Sequence, residues 1–359
     1  MSNEHADDSN PDGNLGGLLI YGAYGYTGRL IAERAAANGG HPVLAGRDKT
    51  KVEALGKRLE MPTRAFPLDR PGELDAGLKD VDVVLHCAGP FSRTAEPMAA
   101  ACLRTGTHYL DITGEISVFE TMKTHDAAAK QAGVMLMPGT GFDVVPTDCL
   151  ASYLSAQLPD ATHLVLAFAG STKASHGTAM TAIENIGAGG AARKDGKIIS
   201  VPAAWKVREI DFDGKQRVCA TIPWGDISTA FHSTAIPNIE VFMAVPPGLL
   251  RFMKASRWLG GLLGTGPVQR FLKSRIPEGG PDQHARETGQ TRLWGEVSNA
   301  AGETVSAHMK TPESYQLTAI TALMIAERVL AGDAPVGFQT PAKAYGADLV
   351  LEVEGVTRR

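Results

Sequence analysis

Paired cysteines are missing from this sequence. Its 359 residues include four Cys, at 87, 102, 149 and 219, none in CxxC spacing and none in a His/Cys cluster that reads as a zinc site. The pattern supports no metal site and reads as four reduced thiols of a cytosolic protein, so the expected localisation is cytoplasmic. A run of roughly 18 apolar residues is also missing, so no membrane span is expected. The first 14 residues, MSNEHADDSNPDGN, lack the basic start and apolar stretch of a secretory signal. They read as a disordered tail. There is no basic excess: the net charge of -4 offers no field for a nucleic-acid partner. The GxSxG elbow that marks many hydrolases is absent as well.

What remains is ordinary globular composition, 43% hydrophobic and 21% charged. The length suggests two cores. Short apolar runs at 18–21, 42–45, 64–68, 82–87, 108–112 and 134–137 alternate with helical stretches at 27–38, 48–60, 73–79, 95–105 and 118–131. Buried strands without polar alternation, separated by helices, predict a Rossmann-type doubly wound parallel sheet. After Pro146 the texture changes. A helix at 146–157 precedes strand-like runs at 163–169, 205–212, 217–221, 228–231, 239–245 and 289–297, and a helical stretch follows at 312–330. Sequential strands predict a second α+β domain, for substrate, on a mostly antiparallel sheet. The expected organisation is a tail (1–14), a dinucleotide-binding domain (15–150), a substrate domain (151–311) and a C-terminal segment (312–359).

The most informative segment is LLIYGAYGYTGRLIAERAAANG, in which Gly22, Gly25 and Gly28 stand in GxxGxxG spacing between a strand and a helix. One glycine permits the tight turn, a second lets backbone approach a pyrophosphate, and a third lets helix and strand pack closely. The helix start then offers free N–H groups to the phosphates. The cofactor-binding set is therefore Gly22, Ala23, Tyr24, Gly25, Tyr26, Thr27 and Gly28. After the second strand comes Arg47, whose fork suits a 2′-phosphate and points to NADP. Asp48 beside it fits either the ribose hydroxyl or the next helix cap. Asp69, past the third strand, fits either an adenine contact or a turn.

Three further loops should emerge at the reactive end of the sheet. Cys87, Ala88, Gly89 and Pro90 have small side chains that would let backbone approach the nicotinamide ribose. Asp111–Glu115 and Pro138–Asp143 follow, each fitting either site chemistry or a turn with a helix cap. Hydride transfer to C=C or C=N needs a nearby acid. The candidates are Asp143, His176 and Tyr315, with alternative roles as a helix cap, a turn residue and a core residue.

GAYGYTG (22–28), GR (46–47), DVVLHCAGPF (82–91), YLDITGE (109–115) and PGTGFDVVPTDCLA (138–151) together resemble the saccharopine dehydrogenase family, in its broad oxidoreductase branch. SHGTAM (175–180), TPESYQLTA (311–319) and TPAKAYG (340–346) extend the resemblance. It implies a Rossmann domain interrupted by a substrate domain and completed by the C-terminal segment. It also implies an NADP-dependent oxidoreductase like trans-acting enoyl reductases, acting on a small-molecule, acyl or lipid-like substrate. The arginine-rich set that would hold several carboxylates is not visible, which argues against an amino-acid substrate. An atypical short-chain reductase is the nearest rival, but none of the seven tyrosines has Lys four places on. A catalytically silent NADP-binding sensor or scaffold is the alternative of a different class.

One stretch, 246–277, carries Arg251, Lys254, Arg257, Arg270, Lys273 and Arg275 among Leu, Phe, Met and Trp, with no acid between Glu240 and Glu278. It reads as an amphipathic hairpin making peripheral membrane or acyl contact, or as a homodimer surface or ordinary helix pair.

Overall fold

The computed structural model describes residues 15–170, 175–184, 189–263, 265–276 and 279–359. The expected tail at 1–14 lies outside them, as do residues 264 and 277 of the basic stretch.

Six short runs form the parallel strands β1 (Leu18–Tyr21), β2 (Val43–Gly46), β3 (Thr63–Ala65), β4 (Val83–His86), β5 (His108–Asp111) and β6 (Met135–Met137). Every residue of β1, β4 and β6 is buried, which is why these runs show no polar alternation. Helices cover both faces. The helix Tyr26–Ala37 sets Ile31, Ala32 and Ala35 inward, and Phe91–Thr105 buries Ala95, Met98, Ala99 and Cys102 on the other face. The predicted helix at 118–131 is two helices, Ile116–Thr124 and Asp126–Ala132, joined at His125.

The second sheet begins with β7 (His163–Ala169), β8 (Gly190–Lys194), β9 (Lys197–Val201), β10 (Val207–Asp211), β11 (Gln216–Thr221) and β12 (Asn238–Ala244). It continues with β13 (Gln290–Ser298) and β14 (Thr304–Pro312). The last strands are β15 (Gly337–Phe338) and β16 (Thr357–Arg358). β15 does not join the second sheet. It pairs in parallel with β6, giving the first sheet the order β15-β6-β5-β4-β1-β2-β3. The second sheet runs β10-β11-β12-β7-β13-β14-β16, with β8 and β9 paired beside β12. Its pairings are antiparallel except β12 with β7. The fold is α/β: a seven-stranded Rossmann-type sheet with a mixed second sheet.

One expectation fails. The run at 228–231, read as a strand from its β-branched and aromatic residues, lies inside the helix Asp226–Thr234. Gly225 precedes it, and the helix packs on Val145–Gln157. Tertiary burial overrides the local preference.

The helix Ser314–Leu330 packs along Tyr26–Ala37. The Thr321 hydroxyl donates to the Thr140 carbonyl at 2.8 Å, and the Thr318 hydroxyl accepts the Phe142 N–H at 3.0 Å. The late helix thus pins the loop after β6.

Candidate active site

The glycine loop has the geometry its spacing predicts. Gly22 adopts φ 81°, a left-handed conformation, and its N–H donates to the Ala45 carbonyl at 2.8 Å. A Cβ on Gly22 would stand 2.8 Å from the Ala88 nitrogen, so the loop after β4 lies directly against it. A Cβ on Gly28 would collide with the Gly22 carbonyl oxygen, which is why helix and loop close tightly there. Gly25 differs. A Cβ there meets only the Gly22 oxygen, at 3.2 Å, with otherwise open space. Gly25 is also the N-cap of Tyr26–Ala37 and brings no side chain to close the first turn. Donors at that helix start therefore face outward with room for an anion.

At the end of β2 the two readings of Asp48 separate. Its carboxylate accepts the Lys51 N–H at 3.1 Å and caps the helix Lys49–Leu59. Arg47 is exposed and forms no ion pair with any described residue. Tyr24 lies against Gly46, and Asp69 is exposed. The loop of Cys87, Ala88, Gly89 and Pro90 is tied by the Thr94 hydroxyl, which donates to the Ala88 carbonyl at 2.7 Å. Burial pushes the Cys87 thiol well above its ordinary range, so it is no thiolate nucleophile. Beneath that loop His86 is fully buried, both ring nitrogens without a partner, among the rings of Tyr21, Phe91 and Tyr109. Burial depresses its pKa to about 3, so it packs as a neutral aromatic.

Two acids of the loop after β5 are structural. The Asp111 carboxylate accepts from the Tyr109 hydroxyl at 2.6 Å and from the N–H groups of Thr113 and Gly139 at 2.9 and 2.8 Å. It thereby joins the loops after β5 and β6. Burial raises its pKa to about 6, against the opposing pull of those donors. Glu115 accepts the Phe91 and Ser92 N–H groups at 2.8 and 3.0 Å and caps the helix Phe91–Thr105.

Asp143 is the exception. It does not cap the helix Val145–Gln157, which has no side-chain cap. It is half-buried, and the protein around it desolvates the carboxyl enough to push its pKa up to about 7. The carboxyl rests on Gly114: a Cβ there would stand 2.6 Å from Oδ2. The turn before the helix Asp226–Thr234 closes the same corner, because a Cβ on Gly225 would lie 3.2 Å from the Gly114 carbonyl oxygen. Asp226 is fully buried there, with the Thr147 hydroxyl beside its carboxyl. Burial raises its pKa well above the ordinary carboxyl range, and repulsion from Asp148 and Asp143 raises it further. Asp148 sits behind it, accepting from the Ser233 hydroxyl at 2.5 Å and the Ala342 N–H at 2.8 Å. Aromatic rings wall the corner: Phe142 and Trp224 both pack on Phe168, at 5.8 and 4.8 Å between centroids.

His176 and Tyr315 gather with Tyr26. The Tyr315 hydroxyl accepts the Ser175 N–H at 2.6 Å, and its ring meets Tyr26 edge-on at 5.2 Å. The His176 N–H donates to the Gly279 carbonyl at 2.8 Å. The Tyr26 hydroxyl donates to the Pro281 carbonyl at 2.5 Å and accepts from Arg286 at 3.1 Å. This clasp joins the glycine-loop helix to the segment leading into β13. A cavity of about 240 Å³ opens beside it, along the second and third turns of Tyr26–Ala37, lined by Leu30, Arg34, Arg286 and Tyr315. It is not at the strand ends. Sequence reading missed Asp226, Trp224 and Arg286. Asp148 alone left a signal, a charge within an apolar helix.

Among the described residues no cluster of His, Cys, Asp or Glu fits a metal, and no helix is long and apolar enough to cross a membrane. The residues present do fit a nicotinamide dinucleotide: an open helix start at Gly25, a carbonyl-packed Gly28, and an exposed Arg47 with no ion pair among the described residues.

Residues 18–137 match the family model of the saccharopine dehydrogenase NADP binding domain. The chain is similar to the saccharopine dehydrogenase-like oxidoreductase of Bos taurus, 33% identical over 152 residues, 36% of this chain and 35% of the relative. It is also similar to the trans-acting enoyl reductase of Mycobacterium leprae (strain TN), 34% identical over 146 residues, 38% of this chain and 35% of the relative. These matches span about a third of those relatives' own length. In fold, the chain is similar to an apo histidine-tagged saccharopine dehydrogenase (L-Glu forming) from Saccharomyces cerevisiae. The TM-score is 0.66 at 14% identity, over 96% of this chain and 99% of that one.

Proposed function

We propose that this chain, which belongs to the saccharopine dehydrogenase family by its dinucleotide-binding domain, is an NADP-dependent reductase of a C=C or C=N bond in a hydrophobic substrate, with Asp143 as proton donor. The observation that carries this reading is the Asp143 carboxyl. It stands at the carboxyl end of β6, desolvated toward a pKa of about 7 and free of any cap. In an open α/β sheet that end faces the reactive part of the ligand. When bound, NADPH supplies the hydride.

The chain's own residues divide the remaining work. The glycine loop and the uncapped start of Tyr26–Ala37 receive the pyrophosphate. Arg47 receives the 2′-phosphate, since Asp48 is committed to its helix. Asp143 gives its proton to the substrate atom that does not take the hydride, and recovers one from solvent. Burial holds the Asp143 proton at neutral pH, and Asp226, kept neutral by its own burial, places no second charge in the corner. Phe142, Phe168 and Trp224 exclude water and suit an apolar substrate. The enoyl reductase among the similar proteins supports reduction of a conjugated C=C bond.

The test is consumption of NADPH, followed at the nicotinamide absorbance, against a panel of α,β-unsaturated thioesters, enones and cyclic imines. The reading expects turnover with at least one conjugated apolar compound. Tight NADPH binding with no consumption across the panel would instead mark a silent nucleotide-binding protein.

A further inference from the structure

After β12 the chain leaves the second sheet in the helices Pro247–Leu263 and Gly266–Lys273. The inner side of the first helix is settled. Leu250 and Met253 pack on Ala204, Ala220 and Val245. Arg257 is also held: its guanidinium donates to the carbonyls of Ala203 and Ala204 at 2.7 and 2.5 Å. It fastens the helix rather than offering charge to a partner.

The outer side is unlike any other described surface of the protein. Arg251, Lys254, Ala255 and Trp258 follow one another at helical spacing on the face opposite Met253. Trp258 is 91% exposed, Phe271 on the neighbouring helix 59%, and Phe252 48%. These are the three most exposed large apolar side chains among the described residues. Arg251, Lys254, Arg270 and Arg275 are exposed around them, and no acid occurs between Glu240 and Glu278.

We propose that this face docks on an anionic lipid surface, lying in its plane. Charge complementarity selects the occupant. A two-fold contact with a second copy would press this basic face against itself, which like charges oppose. An anionic headgroup layer accepts the cations, while Trp and Phe enter the boundary where aromatic rings partition. No described helix is long and apolar enough to cross a membrane, so the contact is peripheral. The inference is independent of the reductase reading, and either can fail alone.

The experiment uses the full chain and unilamellar vesicles of phosphatidylcholine alone or mixed with phosphatidylglycerol, scored by co-sedimentation. The wild type should bind the mixed vesicles about tenfold better than the neutral ones, and added salt should erase the difference. F252S/W258S and R251E/K254E should each lose most binding, whereas R251K/K254R should keep it. All are to be checked for unchanged melting and NADPH binding. Failure of the wild type to bind mixed vesicles at low salt overturns the proposal, as does unchanged binding by both disruptive variants. So does a wild-type dimer, seen by sedimentation velocity, that F252S/W258S converts to monomer.

Discussion

The Asp143 carboxylate rests on Gly114, where a side chain would leave only 2.6 Å to Oδ2. The missing side chain sets where the acid can stand. Gly114→Ala should therefore displace the carboxyl while sparing the glycine loop. Expected is a fall in kcat of at least about tenfold, the scale of a misplaced catalytic group, with NADPH affinity unchanged. Parallel titration and turnover of the two proteins would show it.

Cofactor choice rests on Arg47. Asp48 is engaged with the Lys51 N–H, so no carboxylate from this pair is left for a ribose hydroxyl. Arg47→Ala should weaken NADPH by about 2 kcal/mol, one charge-assisted contact, and leave NADH nearly unchanged. Isothermal titration with both cofactors decides this. Equal wild-type affinity for the two would remove Arg47 from the role.

Two of the loop glycines, Gly25 and Gly22, should fail in different ways. Gly25→Val places a branched side chain in open space where phosphate must approach, so the protein should fold and bind no NADPH. Gly22→Ala meets the Ala88 nitrogen and a positive φ, and should lower the melting temperature as well. Thermal melts paired with cofactor titration separate these outcomes.

Asp143 also predicts a pH signature. Its folded pKa of about 7 lies above the unfolded value of roughly 3.9. The folded state thus binds the proton more tightly. The resulting stabilisation is complete below about pH 4 and is lost as pH rises through about 7. Asp143→Asn carries no charge to desolvate. It should be more stable than wild type at pH 8, by on the order of 1 kcal/mol after solvent screening, with the difference fading toward pH 4. Turnover should fall about 10²- to 10⁴-fold in the same variant. Denaturant titrations at pH 4, 6 and 8 test the stability part without a substrate.

The glycine loop was legible in the sequence because its physical demands fall on residues three apart: a positive φ at Gly22, open space at Gly25 and a carbonyl contact at Gly28. The buried strands of the first sheet were legible for the same local reason. The strand read at 228–231 was not, because the burial that makes Asp226–Thr234 a helix comes from Val145–Gln157, far away in the chain. β15 is two residues long and leaves no periodicity. The acid corner shows the limit most clearly. Asp143 was visible at the end of a glycine-rich loop, but nothing local marks Asp226 as its neighbour. His176 and Tyr315, the other candidate proton donors, join a clasp with Tyr26 that depends on the segment around Pro281.

The central claim is that Asp143 holds a proton at neutral pH where the hydride arrives. It is tested most directly by carboxyl ¹³C NMR of aspartate-labelled protein with NADP⁺ bound. The resonance present in wild type and missing from Asp143→Asn should titrate near pH 7. A midpoint near 4, the ordinary aspartate value, would mean a carboxylate with no proton to give, and would contradict the account.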